Sequence, residues 1–469
     1  MRNLNIAIDD LFKDDLNKMT LSGVPAGSII QSLCVDSRKV QKGDWFLCLR
    51  GESFDGHDFI EMALSSGAVG IIYDRADLHC KGIKVPDTTR FLGILGKHWR
   101  KKVNPIVIAV TGSNGKTSVK ELLSFLLDKI APGKICQSSG NFNNQFGVPY
   151  TLLSLSPHHK YLVIEIGTNH PGEIAPLSDF ALPDYAVITS VSPGHIGNFG
   201  SLESIVAEKS EVISGMKPNG ILFVNSNLAQ NPLVQSRAAR QHIQIKSPDD
   251  SLVLSRSGDD GMELILNQET FHFPVCGHHQ FQNLLLVYTL IKEIFPEGEL
   301  LKNALRQLKG YRPIKGRLQK IKNDSYNVWD DTYNANPASF EEAVKFVSQF
   351  TPMSQVFGAF GMMGELGDFS EEAHEKLGEF TAESGFTSVF FSAPDEKIRK
   401  AFLKGWQKSS RNLSKDPSAG ATIQWAGNSD EDIYSGYNYL LNQMRKGDHL
   451  LVKGSRSAKM ERILKYFIG

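Results

Sequence analysis

The aliphatic residues Val107-Ile108-Ala109-Val110 interrupt a mixed polar background just before Thr111-Gly112-Ser113-Asn114-Gly115-Lys116-Thr117-Ser118. A short apolar run bounded by turn residues reads as a strand buried on both faces, the kind found in parallel sheets. The pattern recurs at 161–166, 185–189, 220–225, 355–361, 387–391 and 449–453. Helical patterns fall between these runs, at 119–129, 201–213, 284–295, 371–382, 395–404 and 431–444. Strands alternating with helices predict an α/β protein built of layers. Upstream, 44–49, 58–66 and 67–73 read as strand, helix and strand of a smaller unit. Residues 241–275 alternate polar and apolar positions, which predicts a small, partly antiparallel sheet. The segment Tyr311-Arg312-Pro313-Ile314-Lys315-Gly316-Arg317-Leu318 is basic and broken by proline and glycine, the composition of a domain junction. The expected architecture has three α/β domains: a small N-terminal domain over 1–86, a central P-loop mononucleotide-binding domain with a mostly parallel sheet over 87–316, and a C-terminal Rossmann-like domain over 317–469.

The turn after the first run carries the chemistry. Its glycines let several backbone N–H groups point at one anion, and the helix that follows adds its positive end. Lys116 can neutralise β- and γ-phosphates, and the Thr117 hydroxyl can ligate Mg²⁺. The full Walker pattern is not present, because Val110 stands five before Gly115 where a glycine is usual. Glu165 ends the next strand, where a Mg²⁺-associated acid belongs, although a carboxylate merely reaching solvent has the same pattern. His195, in the loop Pro193 to Gly200, is compatible with a metal ligand and with a solvated side chain. Lys209 sits on a helix rich in charge, and the residues alone leave its direction open. The loop 139–149 carries Asn141, Asn143 and Asn144, fixed donors and acceptors suited to a polar ligand as well as to plain turns. Near the N-terminus, Asp36-Ser37-Arg38 and Phe54-Asp55-Gly56-His57-Asp58 read either as surface turns or as a seat for a nucleotide-type ligand. The adjacent His278 and His279 lack zinc spacing. Gly454-Ser455-Arg456-Ser457 fits an anion contact and a plain helix start equally.

Composition narrows the class. The 469 residues are too many for one core, and 41% hydrophobic with 22% charged residues fits a globular protein. Lys+Arg and Asp+Glu both number 51, so no bulk field draws in nucleic acid or an anionic membrane. Cys34, Cys48, Cys80, Cys136 and Cys276 form no metal motif and no disulfide framework, which fits a reducing compartment. With no signal-peptide pattern at the start and no long apolar stretch, a cytoplasmic location is expected.

Taken in order, these motifs resemble the Mur ligase family over nearly the whole chain: the Thr111–Thr117 loop, the 139–149 loop, Glu165-Ile166-Gly167, His195 ahead of Asn198-Phe199-Gly200, Asp331-Thr332-Tyr333-Asn334-Ala335-Asn336-Pro337, and Leu451 to Ser457. The resemblance implies an ATP-dependent, Mg²⁺-requiring amide ligase that joins D-alanyl-D-alanine to UDP-N-acetylmuramoyl-tripeptide through an acyl phosphate. It implies that Thr111 to Ser118 cradle ATP, with Lys116 on the phosphates. Thr117, Glu165, His195 and a carbamylated Lys209 would serve the metals. Arg317 would reach the γ-phosphate, and His279, Asn283, Asp331, Tyr333 and Asn334 the adenine and ribose. Ser37, Arg38, Asp55, His57, Asn141, Asn143, Asn144, Asn336, Lys453 and Arg456 would meet the substrates, the N-terminal domain seating the UDP end and the C-terminal domain closing over ATP with the dipeptide. A monomer is expected. Two positions depart from the family pattern: Gln280 replaces an asparagine, and Met362 replaces an acid in Gly361-Met362-Met363-Gly364-Glu365-Leu366-Gly367. A sibling ligase adding the third amino acid, or glutamate to folate, would share the phosphate and metal groups. A module that only converts ATP binding into movement is the remaining alternative.

Overall fold

The computed structural model describes the chain apart from residues 14–18, 52, 194–195, 352, 414–421 and 469. Within these residues the strands assemble into three six-stranded sheets and one three-stranded sheet. The central sheet is parallel throughout, in the order Gln244–Lys246, Ile221–Val224, Tyr185–Ile188, Ile106–Thr111, Tyr161–Glu165, Ile135–Gln137. Its strands read as continuous apolar runs because both faces are covered. Val107 and Ala109 face one core together with Leu162, Ile164, Ala186 and Ile188. Ile108 and Val110 face the other with Val163, Val187 and Phe223. The second core is closed by the helices Lys116–Ile130 and His278–Ile294 and by the antiparallel sheet Val253–Gly258, Gly261–Leu266, Glu269–Phe273, as the alternation over 241–275 predicts.

The first core continues into the N-terminal sheet. That sheet is parallel in its middle, through Ile29–Cys34, Trp45–Leu47, Gly70–Tyr73 and Gly82–Lys84, and antiparallel at both edges, Arg2–Ala7 and Thr20–Ser22. The helix Thr88–Val103 bridges the two sheets, contributing Phe91, Leu92, Leu95 and Trp99 to the shared core. The C-terminal sheet runs Gln319–Ile321, Asn327–Asp331, His449–Lys453, Val356–Gly361, Ser388–Ser392, Thr422–Ala426, with only its first strand antiparallel. Helices Pro337–Ser348, Ser370–Glu383 and Glu396–Leu413 cover one face, and Asp430–Leu441 and Glu461–Ile468 the other.

Several elements differ from the sequence expectation. The helix expected over 201–213 is α-helical only through Leu202–Ser210 and tightens to a 3₁₀ turn at Glu211–Gly215. Residues 278–283 are the first turns of the following helix and not an approach to it, because Gly277, at φ +94°, breaks the chain immediately before. The Asn/Gly segment ends in a helix, Gly147–Leu153, whose first N–H groups are accepted by Asn144 Oδ1.

Candidate functional site: a cleft between the central and C-terminal sheets

Strands Ile106–Thr111, Tyr161–Glu165 and Tyr185–Ile188 are neighbours and end on the same edge of the central sheet. Connections leave the sheet in opposite directions at this point, which is where α/β folds open a crevice. A cavity of ≈ 1160 Å³ lies there, walled by the phosphate loop on one side and by Asp331 to Asn336, Lys453 and Arg456 on the other. The loop is held from below by the hydroxyl run after the third strand. Ser113 N–H donates to Ser190 O at 2.8 Å, Asn114 N–H to Ser190 Oγ at 3.1 Å, and Ser113 Oγ to Ser192 O at 3.0 Å. Gly115 takes φ +84°, and a Cβ there would lie 2.6 Å from Asn283 Oδ1, so only glycine fits.

Lys116 Nζ donates to the carbonyls of Gly112 (2.8 Å) and Ser113 (3.2 Å). Burial lowers its proton affinity below that of an ordinary lysine, Glu165 working in the opposite sense. Glu165 is buried, and both of its oxygens are committed: Thr117 Oγ1 donates to Oε2 at 3.0 Å and Asn143 Nδ2 to Oε1 at 2.8 Å. Arg317 crosses from the junction, donates to Thr117 Oγ1 at 3.4 Å, and lies 4.1 Å over the Tyr333 ring. Asp331 and Lys453 are register partners on neighbouring strands and form an ion pair of 2.5 Å. Lys453 also donates to Asn334 O at 3.1 Å, and burial depresses its pKa. Asn114 and Asn336 exchange amide hydrogen bonds of 3.2 and 2.7 Å, a direct bond between the two walls. Gly197 N–H donates to Glu365 O at 3.3 Å at another point of the same boundary.

Two buried polar atoms of the cavity lining lack partners, His279 Nδ1 and Arg317 Nε, and so does Lys209 Nζ, which is buried outside the lining and feels the charge of Lys116. Such groups are costly without a counterpart, so their concentration at one cleft fits a polar, anionic ligand. The charge of Lys209 is penalised by burial and by Lys116, which brings it down to about 7. Thr117 Oγ1 and the Glu165 carboxylate are hard oxygen donors, the type Mg²⁺ takes in ones and twos beside phosphate oxygens. No cluster of three His, Cys, Asp or Glu side chains converges among the described residues, and His195 lies outside them.

Other expected residues fall where their partners are local. Asn141 and Asn144 line the cleft, but Asn144 Oδ1 already accepts the Phe146 and Gly147 N–H groups at the entry to helix Gly147–Leu153. Ser37, Arg38, Asp55 and His57 are not at this cleft. Ser37 is buried, and the exposed Arg38 grips Asp36 at 2.8 and 2.9 Å. His57 is enclosed between Asp55, 2.5 Å from its Nδ1, and the Asp74 N–H, 3.2 Å from its Nε2. Gln280 lines the cavity, with its side chain accepting from Asn283 Nδ2 (3.2 Å) and donating to Ser118 Oγ (3.5 Å). Glu173, Asn225 and Glu365 line the cavity and were not singled out by sequence. Glu173 had a signal in Pro171-Gly172-Glu173, a turn placing an acid at the start of helix Ile174–Ala181.

A phosphate loop with a carboxylate at its flank, bonded across a cleft to another α/β unit, defines a nucleotide-binding P-loop enzyme whose site is lined from both sides of that cleft. The Mur ligase family catalytic domain matches residues 29–127, the Mur ligase middle domain 110–291, and the Mur ligase glutamate ligase domain 316–456. A UDP-N-acetylmuramoyl-tripeptide–D-alanyl-D-alanine ligase of Bacillus subtilis is 30% identical over 464 residues, covering 94% of each chain. A MurF crystal structure from Acinetobacter baumannii superposes with a TM-score of 0.82 at 28% identity over 100% of both chains. That of the MurF ligase from Thermotoga maritima in complex with ADP gives 0.78 at 26%, over 94% and 97%. The chain belongs to the Mur ligase family.

Proposed function

We propose that this protein joins D-alanyl-D-alanine to UDP-N-acetylmuramoyl-tripeptide, converting ATP to ADP and phosphate and supplying the pentapeptide precursor of the cell wall. The observation that carries this reading is the span of the match. The Bacillus subtilis ligase aligns over 94% of both chains, so the regions that choose substrates are shared along with the phosphate loop common to sibling ligases.

The chemistry follows from the cleft. A carboxylate is a poor electrophile, so an oxygen of the tripeptide's terminal carboxylate attacks the γ-phosphorus and ADP departs, leaving an acyl phosphate. The free amine of the dipeptide then attacks the acyl carbon, and inorganic phosphate leaves as the amide forms. Lys116 and Arg317 face the phosphates from opposite walls and offset the charge that builds on the transferring group. His279, Asn283, Asp331, Tyr333 and Asn334 hold the nucleoside. Ser37, Arg38, Asp55 and His57 serve the uridine end, and Lys453, Arg456 and the asparagines at 141, 143, 144 and 336 the peptide side. Thr117 and Glu165 would hold Mg²⁺, with His195 and a modified Lys209 serving a second ion, and the metal would supply positive charge during phosphoryl transfer. Lys209 meets the requirement for carbamylation. Its amine has an affinity lowered to about 7 and no hydrogen-bond partner, so the neutral nitrogen is free to add CO₂ and release a proton. Closure of the two walls excludes water from the acyl phosphate. The reading includes a cytoplasmic location and a monomer; no helix among the described residues is long and apolar enough to cross a membrane.

The test is phosphate release with UDP-N-acetylmuramoyl-tripeptide and D-alanyl-D-alanine, run beside the dipeptide nucleotide with single amino acids and beside folate with glutamate. Release that needs both proposed substrates, and is abolished in a folded K116A variant, is the expected result. Faster turnover of another acceptor pair, or amine-independent ATP hydrolysis, would overturn the assignment.

A further inference from the structure

Lys120 is a lysine the mechanism does not use, and it is fully buried. It lies one turn beyond Lys116 on helix Lys116–Ile130, so the two side chains leave the same face of that helix. Its Nζ donates to Ser138 O at 2.9 Å and Gly140 O at 3.2 Å, and pairs with Glu121 Oε1 at 2.8 Å. A leucine or methionine would fill the space without the cost of desolvating an ammonium, so the three acceptors are what the position is built around. Charge-assisted bonds of this type are the strong ones.

Two of those acceptors belong to the segment that leaves the sheet's edge strand, Ile135–Gln137, and so has neighbours on one side only. This segment holds Glu165 at two points and the chain just after it, at Gly167, at a third. Ser138 Oγ accepts the Glu165 N–H at 3.0 Å, Asn143 Nδ2 reaches Glu165 Oε1 at 2.8 Å, and Asn143 O accepts the Gly167 N–H at 2.8 Å. We propose that Lys120 is a positioning residue for the metal side of the cleft: it pins segment 138–143 to the phosphate-loop helix, so that Asn143 and Thr117 hold the two Glu165 oxygens in a fixed orientation. The helix thereby sets both partners of the site, Lys116 on the phosphates and, through Lys120, the carboxylate beside them. The inference rests on the ligase reading for the role of Glu165.

The test compares wild type, K120M and K120A by calorimetric titration of Mg²⁺ into protein with ADP, alongside ligation kinetics and thermal melting. Removing support behind a metal-holding carboxylate weakens metal affinity by about ten- to a hundredfold. K120M is expected to melt cooperatively while its Mg²⁺ affinity falls within that range and its KM for D-alanyl-D-alanine stays unchanged. K120A opens a cavity faced by two carbonyls and a carboxylate, so ammonium or methylammonium should restore its Mg²⁺ affinity, and sodium at the same ionic strength should not. A folded K120M with wild-type Mg²⁺ affinity, or a K120A deficit that no amine relieves, overturns the proposal. A K120M chain that does not fold also overturns it, since Lys120 would then serve the fold alone. Wild type without ligase activity would instead sink the ligase reading, and the Mg²⁺ titration would still decide the role of Lys120.

Discussion

The amide pair between Asn114 and Asn336 is the most direct link between the two walls, and its contribution to closure can be measured. Asn114 Nδ2 donates to Asn336 Oδ1 at 3.2 Å and Asn336 Nδ2 to Asn114 Oδ1 at 2.7 Å. Each neutral bond contributes a net 0.5–1.5 kcal/mol, so the pair should favour the closed form by about 1–3 kcal/mol, roughly 5- to 150-fold in the closing equilibrium. Single substitutions confound this number, because Asn336 also caps helix Pro337–Ser348 through the Ser339 N–H and Asn114 also bonds Ser192 Oγ at 3.0 Å. N336S retains a capping hydroxyl while losing the reach across the cleft, and N114A removes the other half. The four proteins of the cycle N114A/N336S, each carrying one dye in the central domain and one in the C-terminal domain, report the closed fraction by energy transfer as an ATP analogue is added. The expected coupling is at least about 1 kcal/mol, with both single variants nearly as open as the double. Additivity within about 0.3 kcal/mol would mean that the bonds form without stabilising closure, and the latch would be refuted.

Three further outcomes follow from the cleft and its supports. The Lys209 pKa, lowered from 10.5 to about 7, means that the unfolded chain binds an extra proton between those values, so stability should rise through that window by about 1.4 kcal/mol per pH unit from this group. K209M should melt higher near neutral pH, lose that slope and lose ligation, and a ¹³C-bicarbonate carbamate signal present in wild type should be absent. Buried His374 accepts the Met363 N–H at 2.9 Å on Nε2 and directs Nδ1 to Ser370 O at 2.7 Å, so burial holds it neutral and pushes its pKa from 6.5 down to about 4. Its folded-state value is the lower one, so the contribution is complete above pH 6.5 and about 3 kcal/mol is lost as pH falls toward 4; H374Q should flatten that part of the urea-denaturation profile, and parallel profiles would contradict it. G115A, forced to φ +84° with its methyl 2.6 Å from Asn283 Oδ1, should cost at least about 1 kcal/mol of stability and raise KM for ATP in steady-state assays.

What the sequence made legible was chemistry packed into consecutive residues. Thr111 to Ser118 must be a strand end, a turn and a helix start at once, and few other sequences satisfy all three, so the loop could be read from its residues, whereas Glu165 was open until the fold placed it against Thr117. The edge strands Arg2–Ala7 and Thr20–Ser22 and the short inner strand Gly82–Lys84 were not expected, because short strands owe their form to pairing partners distant in the chain. Helix Thr88–Val103 was hidden by Gly93, which weakens any helical pattern. A Cβ at Gly93 would sit 2.2 Å from the Phe180 ring, so the glycine answers a contact that only the folded chain contains. Arg317 was legible as a junction residue, but its stacking on Tyr333 and its bond to Thr117 depend on how the two sheets meet. Lys120 was invisible for the same reason, since two of its three acceptors are the backbone carbonyls of Ser138 and Gly140, and carbonyls leave no mark in a sequence.

The cleft inverts the rule that governs the rest of the molecule. The sheet cores are continuous and aliphatic, yet beside them burial holds Lys116, Lys209 and Lys453 below their ordinary proton affinity. Only Lys453 has a carboxylate in ion-pair contact, Asp331, while Lys116 makes do with its own loop carbonyls. A chain shaped by stability alone would replace such groups with methionine or leucine, because desolvating a cation costs more than neutral acceptors return. The arrangement becomes favourable when a polyanion enters: the cations are already dehydrated and fixed, so little reorganisation opposes the charge that develops during phosphoryl transfer. The same dryness explains why Lys209 differs from its neighbours. With no acceptor and its charge disfavoured by burial and by Lys116, its amine is the one of the three whose neutral form is free to react with CO₂.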